Sequence, residues 1–327
     1  MKFDVAVVAD LCLDIVFAGD VTPIYGQVEQ FVEDYQVELG GSAAIFASQL
    51  TKLGGRVGML GTVGTDPFGN LLLQRLQELG ISTEYIQPSP LFKTSVGLGL
   101  ARGKDRAMLT YKGSLNDVTA ERLRDSGLLE KSGHLHIASY FLLEQLQSYW
   151  LEELKLMKQT GITVSLDTNW APKENWGAVH GVLEFVDVFI PNEEEALRIS
   201  GKTNVEEAGA WLSRFGCLVV IKRGESGAMV FKGDAVLEYQ VPGSLLKGLT
   251  IADTTGAGDN FDAGFIYAWL QHASLDECVE LAMRCGTGSL SAMGGIAAQL
   301  TQTKKQLWNR LSVEAWEVLW KRILMLL

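Results

Sequence analysis

The run Asp253-Thr254-Thr255-Gly256-Ala257-Gly258-Asp259-Asn260-Phe261 has the residue types for phosphoryl chemistry. Its small residues let the backbone approach a ligand closely. The helical pattern Asp262–Leu270 behind them supplies free N–H groups and the positive end of a dipole. Gly256, Ala257 and Gly258 together read as an anion hole for a phosphoryl group. Asp259 stands at its mouth, where a carboxylate can take the proton of a hydroxyl attacking phosphorus. The competing reading is a glycine-rich helix entry with Asp259 as a cap.

A loop of this kind needs a rigid edge behind it. Strand-length apolar runs recur at Val5–Ala9, Val57–Leu60, Leu135–Ala138, Thr163–Leu166, Val186–Ile190 and Leu218–Ile221. Helical patterns lie between them, at Ser42–Leu53, Phe68–Leu79, Gln145–Gln159 and Asn204–Phe215. The alternation predicts an α/β fold: a doubly wound, mostly parallel central sheet flanked by helices, with ligands at the carboxyl ends of its strands. Ile15–Leu39 and Leu91–Gly113 read as strands without helices, the second turning at Arg102-Gly103-Lys104-Asp105. They predict a small β-sheet lid of residues 16–38 and 91–113 on a body of residues 1–15, 39–90 and 114–327. The lid would cover the site or serve as the edge of a homodimer. Apolar spacing over Lys305–Leu327 predicts a terminal helix packed on the body.

Composition narrows the function. The 327 residues are 47% hydrophobic and 20% charged, enough for a large core. A net charge of −11 argues against nucleic acid or an anionic membrane as partner. Cys12, Cys217, Cys278 and Cys285 form no CxxC pair and read as reduced thiols. The run Val5–Ala9 is too short for a signal peptide, and no stretch approaches the ~18 apolar residues of a membrane span. The expectation is a cytoplasmic protein. The first strand lacks GxGxxG, which removes a dinucleotide-binding fingerprint. Gly201-Lys202-Thr203 lacks the upstream glycine of a P-loop. His134 and His136 share a strand face without further metal ligands, so ordinary side-chain partners are expected.

The nine-residue run resembles the C-terminal DTTGAGDxF signature of the ribokinase-like (pfkB-type) carbohydrate kinases. Other landmarks follow in the family's order, covering Asp14 to about Ile296. The resemblance implies ATP as donor, Mg2+ as its companion and a sugar or nucleoside as the small-molecule acceptor. It implies acceptor contacts from Asp14 and from the Gly40–Gly41 loop, with Asp10 a second candidate, and makes Gly61–Gly69 a shaping loop. Ile45 occupies the position of a sugar-contacting Asn. Asp167 and Asn169 match a DxNxR substrate string, with Trp170 in place of Arg. Asn192 and Glu195 match the NxxE motif that holds hydrated Mg2+. Asn192, Lys222, Gly224, Gly227, Gly256, Gly258 and Cys285 fall at nucleotide positions, Cys285 replacing an Asn beside adenine. Asp253 and Thr255 match the surroundings of a K+ site in some relatives. Ile45, Cys12 and Trp170 each remove a hydrogen-bonding group from the acceptor pocket, which favours a less polar acceptor such as a nucleoside. Two rivals remain: an inactive binding protein that keeps the kinase fold, and a sugar-phosphate kinase using Lys93, Arg102, Lys104 and Arg106.

Overall fold

The computed structural model describes residues 2–102 and 105–301. The expected helix at 305–327, and Gly103 and Lys104 of the expected turn, lie outside them. Among the described residues thirteen strands form two sheets: β1 Val5–Val8, β2 Cys12–Ala18, β3 Asp34–Gly40, β4 Val57–Gly64, β5 Ser82–Ser89, β6 Val96–Arg102, β7 Asp105–Tyr111, β8 His134–Ile137, β9 Thr163–Leu166, β10 Val188–Phe189, β11 Leu218–Lys222, β12 Ala228–Lys232 and β13 Ala235–Tyr239.

The larger sheet runs β13-β12-β11-β10-β9-β8-β1-β4-β5. Its strands are parallel from β5 to β11, and β12 and β13 extend it as an antiparallel hairpin. Strand β1 is buried throughout, as a central parallel strand must be. Its alternate residues feed two separate cores. Val5 and Val7 pack with α1 Ser42–Lys52 and α2 Pro67–Glu78, while Ala6 and Val8 pack with α3 Ala120–Ser126, α4 Glu144–Thr160, α5 His180–Leu183, α6 Glu193–Ser200 and α7 Val205–Leu212. Helices α8 Gly243–Leu246, α9 Ala257–Leu270 and α10 Leu275–Ser289 join the first of these layers. The sheet is therefore wound on both faces.

The smaller sheet runs β3-β2-β6-β7, with β2 parallel to β6 and the other pairs antiparallel. It begins earlier than the sequence implies. Asp10 turns back to cap α1, so the chain leaves the large sheet there and starts a new strand at Cys12. Asp14 thus sits inside β2 and not at the end of the first strand. Two other differences have local causes. Strand β5 has no long apolar run because it is the sheet edge, where Pro88 costs no second ladder. Strand β10 is only two residues long: Pro191 has no N–H to give the ladder, which resumes beyond it where Asn192 bridges Lys222 of β11.

Candidate active site

Parallel strands gather the polar residues at one edge. Asp10 follows β1, Ser139 follows β8, Asp167 and Asn169 follow β9, Asn192 follows β10, and Lys222 closes β11. Asp10, Asp167 and Lys222 act electrostatically on Asp259, in the first turn of α9.

Gly256 caps α9 with φ 70°, a left-handed conformation that suits glycine. Asn260 holds this turn: its Nδ2 donates to the carbonyls of Gly256 and Gly295, each at 2.8 Å. Gln299 Nε2 donates to Asn260 Oδ1 at 2.8 Å and to the Ile45 carbonyl at 2.9 Å. Asp253 Oδ1 accepts from the Thr255 amide and hydroxyl, and its Oδ2 accepts from the Gly294 amide. The glycine loop is thus fastened on both sides, and the Ala257 amide donates within it to the Thr254 carbonyl at 3.3 Å.

Asp259 is buried. Burial, then the charges of Asp167 and Asp10, push its carboxyl up to about 7, against the pull of Lys222 and Ser42. A carboxylate so placed holds or releases a proton near neutrality, as a general base must.

Lys222 does not stand free for a phosphate, as the nucleotide-loop match implies. Its Nζ lies 2.6 Å from Asp167 Oδ2 and 3.1 Å from both oxygens of Asp262. Burial favours loss of its proton, but Asp167, Asp262 and Glu195 outweigh this and keep the ammonium charged. Burial also pushes Asp167 up, yet Lys222 and the hydrogen bonds from Asp262 and the Asn169 amide bring it net below the usual carboxylate range. Burial drives Asp262 well above that range. The consistent state is Lys222 paired with ionised Asp167, Asp262 keeping a proton that it donates to Asp167. Asp167 is therefore engaged as the lysine's counter-ion. Asp262 drew no attention in the sequence because it looks like an ordinary helix residue.

The expected acceptor residues divide. Asp14 lies opposite Glu38 of β3 and Gly97 of β6. A Cβ at Gly40 or Gly97 would come within 2.3 or 2.4 Å of the Asp14 carboxylate oxygens, so the two glycines leave the room it occupies. Gly41, at φ 91°, could not carry a Cβ without meeting the Asp10 carbonyl at 2.3 Å. Asp10 accepts from the amides of Ser42 and Ala43. Ile45 is not an acceptor contact: its side chain is buried against Gly256 and Gly295. Asn169 is committed as well, its Nδ2 donating to Ser42, Ala138 and Ser139. Trp170 meets Trp176 edge-on at 5.0 Å, and the Arg198 guanidinium lies 5.4 Å from its ring centre.

Beside the loop is a cavity of about 360 Å³, whose walls include Lys222, Gly224, Gly227, Ala257, Gly258 and Thr287, with Ile251, Phe261 and Met283 supplying apolar surface. Its size and apolar lining suit a purine-sized ligand. Asn192 and Gly256 are not among its lining residues. Cys285 does not reach it. That residue is fully buried between α9 and α10, where a Cβ on Gly264 would lie 3.0 Å from its Sγ. Its neighbours Gly286 and Thr287 form the wall instead.

Asn192 and Glu195 form a reciprocal cap on α6: each side chain accepts the other's backbone N–H at 2.9 Å. Among the described residues no group of three or more His, Cys, Asp or Glu could hold a metal ion. The donor set is nevertheless one of hard oxygens. Burial, then Asp167, raise the Glu195 carboxyl to about 7, so a nearby cation would stabilise its ionised form. These residues fit a hydrated Mg2+ held through water. Elsewhere His134 and His136 find ordinary partners, sharing Ser165. No helix of the described residues is long and apolar enough to cross a membrane.

This combination, a doubly wound sheet with a glycine anion loop and a buried carboxylate at its mouth, defines a phosphotransferase. A family model described as pfkB family carbohydrate kinase matches residues 2–302, and the chain belongs to that family. It is 30% identical to a cytidine kinase of Thermococcus kodakarensis over 257 residues, covering 75% of this chain and 84% of that one. It is 25% identical to a ribokinase of Lactococcus lactis over 306 residues, 93% and 96% of the two chains. The structure of Arabidopsis thaliana ribokinase complexed with ribose and ATP superposes with a TM-score of 0.79 at 22% identity, covering 95% and 99%. A putative ribokinase II from E. coli, in complex with ATP and Mg2+, gives 0.78 at 23% identity, covering 94% and 98%. Both show the ribokinase fold.

Proposed function

We propose that the protein transfers the γ-phosphoryl group of ATP to a hydroxyl of a neutral sugar or nucleoside. One observation carries this reading. Ala257 and Gly258 wall the cavity, and the next residue, Asp259, is buried with Ser42, which follows the Gly40–Gly41 loop, among the groups acting on its carboxyl. The base thus lies between a nucleotide-sized space and the expected acceptor loop. The acceptor hydroxyl gives its proton to Asp259 as its oxygen bonds to Pγ. The Pγ–O bond to ADP breaks, and the loop amides take up charge on the transferred group. Mg2+, bound with ATP and held through Asn192 and Glu195, would neutralise phosphate charge.

Neutral acceptors follow from the wall they face. Asp14 and Glu38 stand opposite each other on β2 and β3, so an anionic acceptor would meet like charge. This counts against a sugar phosphate. Acceptor-dependent ADP release across a panel of pentoses, hexoses, nucleosides and sugar phosphates tests the reading, with K+ present and absent to test Asp253 and Thr255. Turnover with a neutral member is expected. ATP binding without acceptor-dependent ADP release across the panel would overturn it and favour an inactive binding protein.

A further inference from the structure

We infer that Asp66 is a positioning residue for the acceptor: it ties Thr94, at the foot of β6, to the body and so fixes the strand on which the place of Asp14 depends. The inference rests on the reading of Asp14 as an acceptor contact.

The lid is fastened to the body at two places. Asp10 secures the first, where it accepts the amides of Ser42 and Ala43. The β6–β7 hairpin is held separately, at its two feet. At one foot the Thr94 amide donates to Asp66 Oδ2 at 2.7 Å and the Thr94 hydroxyl to Asp66 Oδ1 at 2.8 Å. The partners fix these directions. The Gly64 amide can only donate, and it does so to Thr94 Oγ1 at 2.9 Å, which leaves the hydroxyl proton for Asp66. Burial opposes charge on Asp66, but the Thr94 and Gly69 amides outweigh it and hold the carboxyl below the usual carboxylate range. At the other foot the Ser114 amide donates to the Lys93 carbonyl at 2.8 Å, and the Thr62 hydroxyl donates to the Ser114 carbonyl at 3.0 Å. Both feet thus reach β4, one through Gly64 and the other through Thr62. Glycine makes room for the first: a Cβ on Gly64 would lie 2.4 Å from both Asp66 Oδ2 and the Thr94 nitrogen.

Asp14 depends on this foot. The residue after Thr94, Ser95, accepts the Leu13 amide on its carbonyl at 3.0 Å. That bond opens the ladder in which Asp14 stands opposite Gly97. A slip of one residue would bring Val96 or Leu98 opposite Asp14 in place of the glycine that leaves its carboxylate room. Asp66 is also the N-cap of α2, accepting the Gly69 amide at 3.0 Å. An Asn would cap the helix as well. With its oxygen kept on Gly69, however, its nitrogen would take the place of Oδ2 and face the Thr94 N–H, donor against donor. The need for Asp over Asn at this cap therefore comes from the lid.

The test is steady-state kinetics of Asp66→Asn, Thr94→Val and Thr94→Ser, read beside amide exchange of β2 and of residues 94–101 by mass spectrometry. Asp66→Asn and Thr94→Val should raise the acceptor KM about three- to tenfold, the worth of one hydrogen bond, with kcat and the ATP KM within about twofold. Thr94→Ser keeps the hydroxyl and should restore the wild-type acceptor KM. Exchange in both segments should quicken at least about threefold in the first two variants and not in the third. Equal rises in both KM values, a loss confined to kcat, or a lower urea midpoint with an unchanged acceptor KM would overturn the inference. So would unchanged exchange. If Asp66→Asn does not fold, the two Thr94 variants still decide. Failure of the reading of Asp14 shows itself differently: Gly97→Ala would then leave the acceptor KM unchanged, while exchange still decides whether Asp66 holds β6.

Discussion

The ammonium of Lys222 and the carboxylate of Asp167 meet at 2.6 Å in a buried setting, joined by Asp262 from α9. The pair ties the carboxyl ends of β11 and β9 to the helix that carries Asp259. Removing the cation strands a buried anion, so Lys222→Met should destabilise by about 3–5 kcal/mol in urea unfolding. Asp262→Asn should cost far less, within about 1.5 kcal/mol, because that carboxyl already keeps its proton and loses only a hydrogen bond. Equal losses in the two variants would contradict the assigned charge state.

Asp259→Asn should lower kcat by at least about 10²-fold, with smaller changes in KM. Wild-type kcat should fall as pH drops below about 7, where the base becomes protonated. Stability should run the other way. A carboxyl raised from 3.8 to about 7 keeps in the native state a proton that the unfolded chain releases. Its contribution is complete below about pH 4 and is lost as pH rises through 7. The Asn variant should therefore melt higher than wild type at pH 8, with the gap closing toward pH 4. Scanning calorimetry across that range checks the sign.

Gly97→Ala should act on the acceptor and not on ATP. The new methyl would stand 2.4 Å from Asp14 Oδ1 and force that carboxylate aside. An acceptor KM raised at least about tenfold, with the ATP KM close to wild type, is the expected steady-state result, roughly one hydrogen bond to a charged group. Unchanged acceptor KM would remove Asp14 from the pocket.

All four cysteines are buried. Burial pushes the Cys217, Cys278 and Cys285 thiols up to about 12, and Cys12 is raised by burial and by Asp14. The native protein should react slowly with Ellman's reagent, and the denatured chain should show four thiols. A fast-reacting thiol at Cys285 would contradict its placement between α9 and α10.

The parallel body was legible because its strands are apolar runs of strand length separated by helical spacing. The loops after Leu218–Lys222 and before α9 stand where such a sheet exposes them. The departures lie where the answer depends on partners distant in sequence. Nothing local marks Asp262 as the third member of the Lys222 cluster. Glu38 stands beside Asp14 only through the register of β2 on β3. Cys285 falls one position short of the cavity wall because Gly264 lets α9 and α10 approach closely. Ile45 is where the motif places it, but its side chain fills the space behind Gly256. Motif matching locates residues in the chain; which side chains are already engaged is decided by packing.

The brace formed by Gln299 has a consequence for biosynthesis. It connects α1, through Ser48 and the Ile45 carbonyl, to Asn260 behind the glycine turn, spanning 251 and 254 positions of chain to reach α1. A nascent polypeptide still on the ribosome, with that glutamine inside the exit tunnel, has every residue of the turn but lacks the prop that shapes it. Competence to turn over ATP should therefore arise only once Gln299 has emerged and docked on α1.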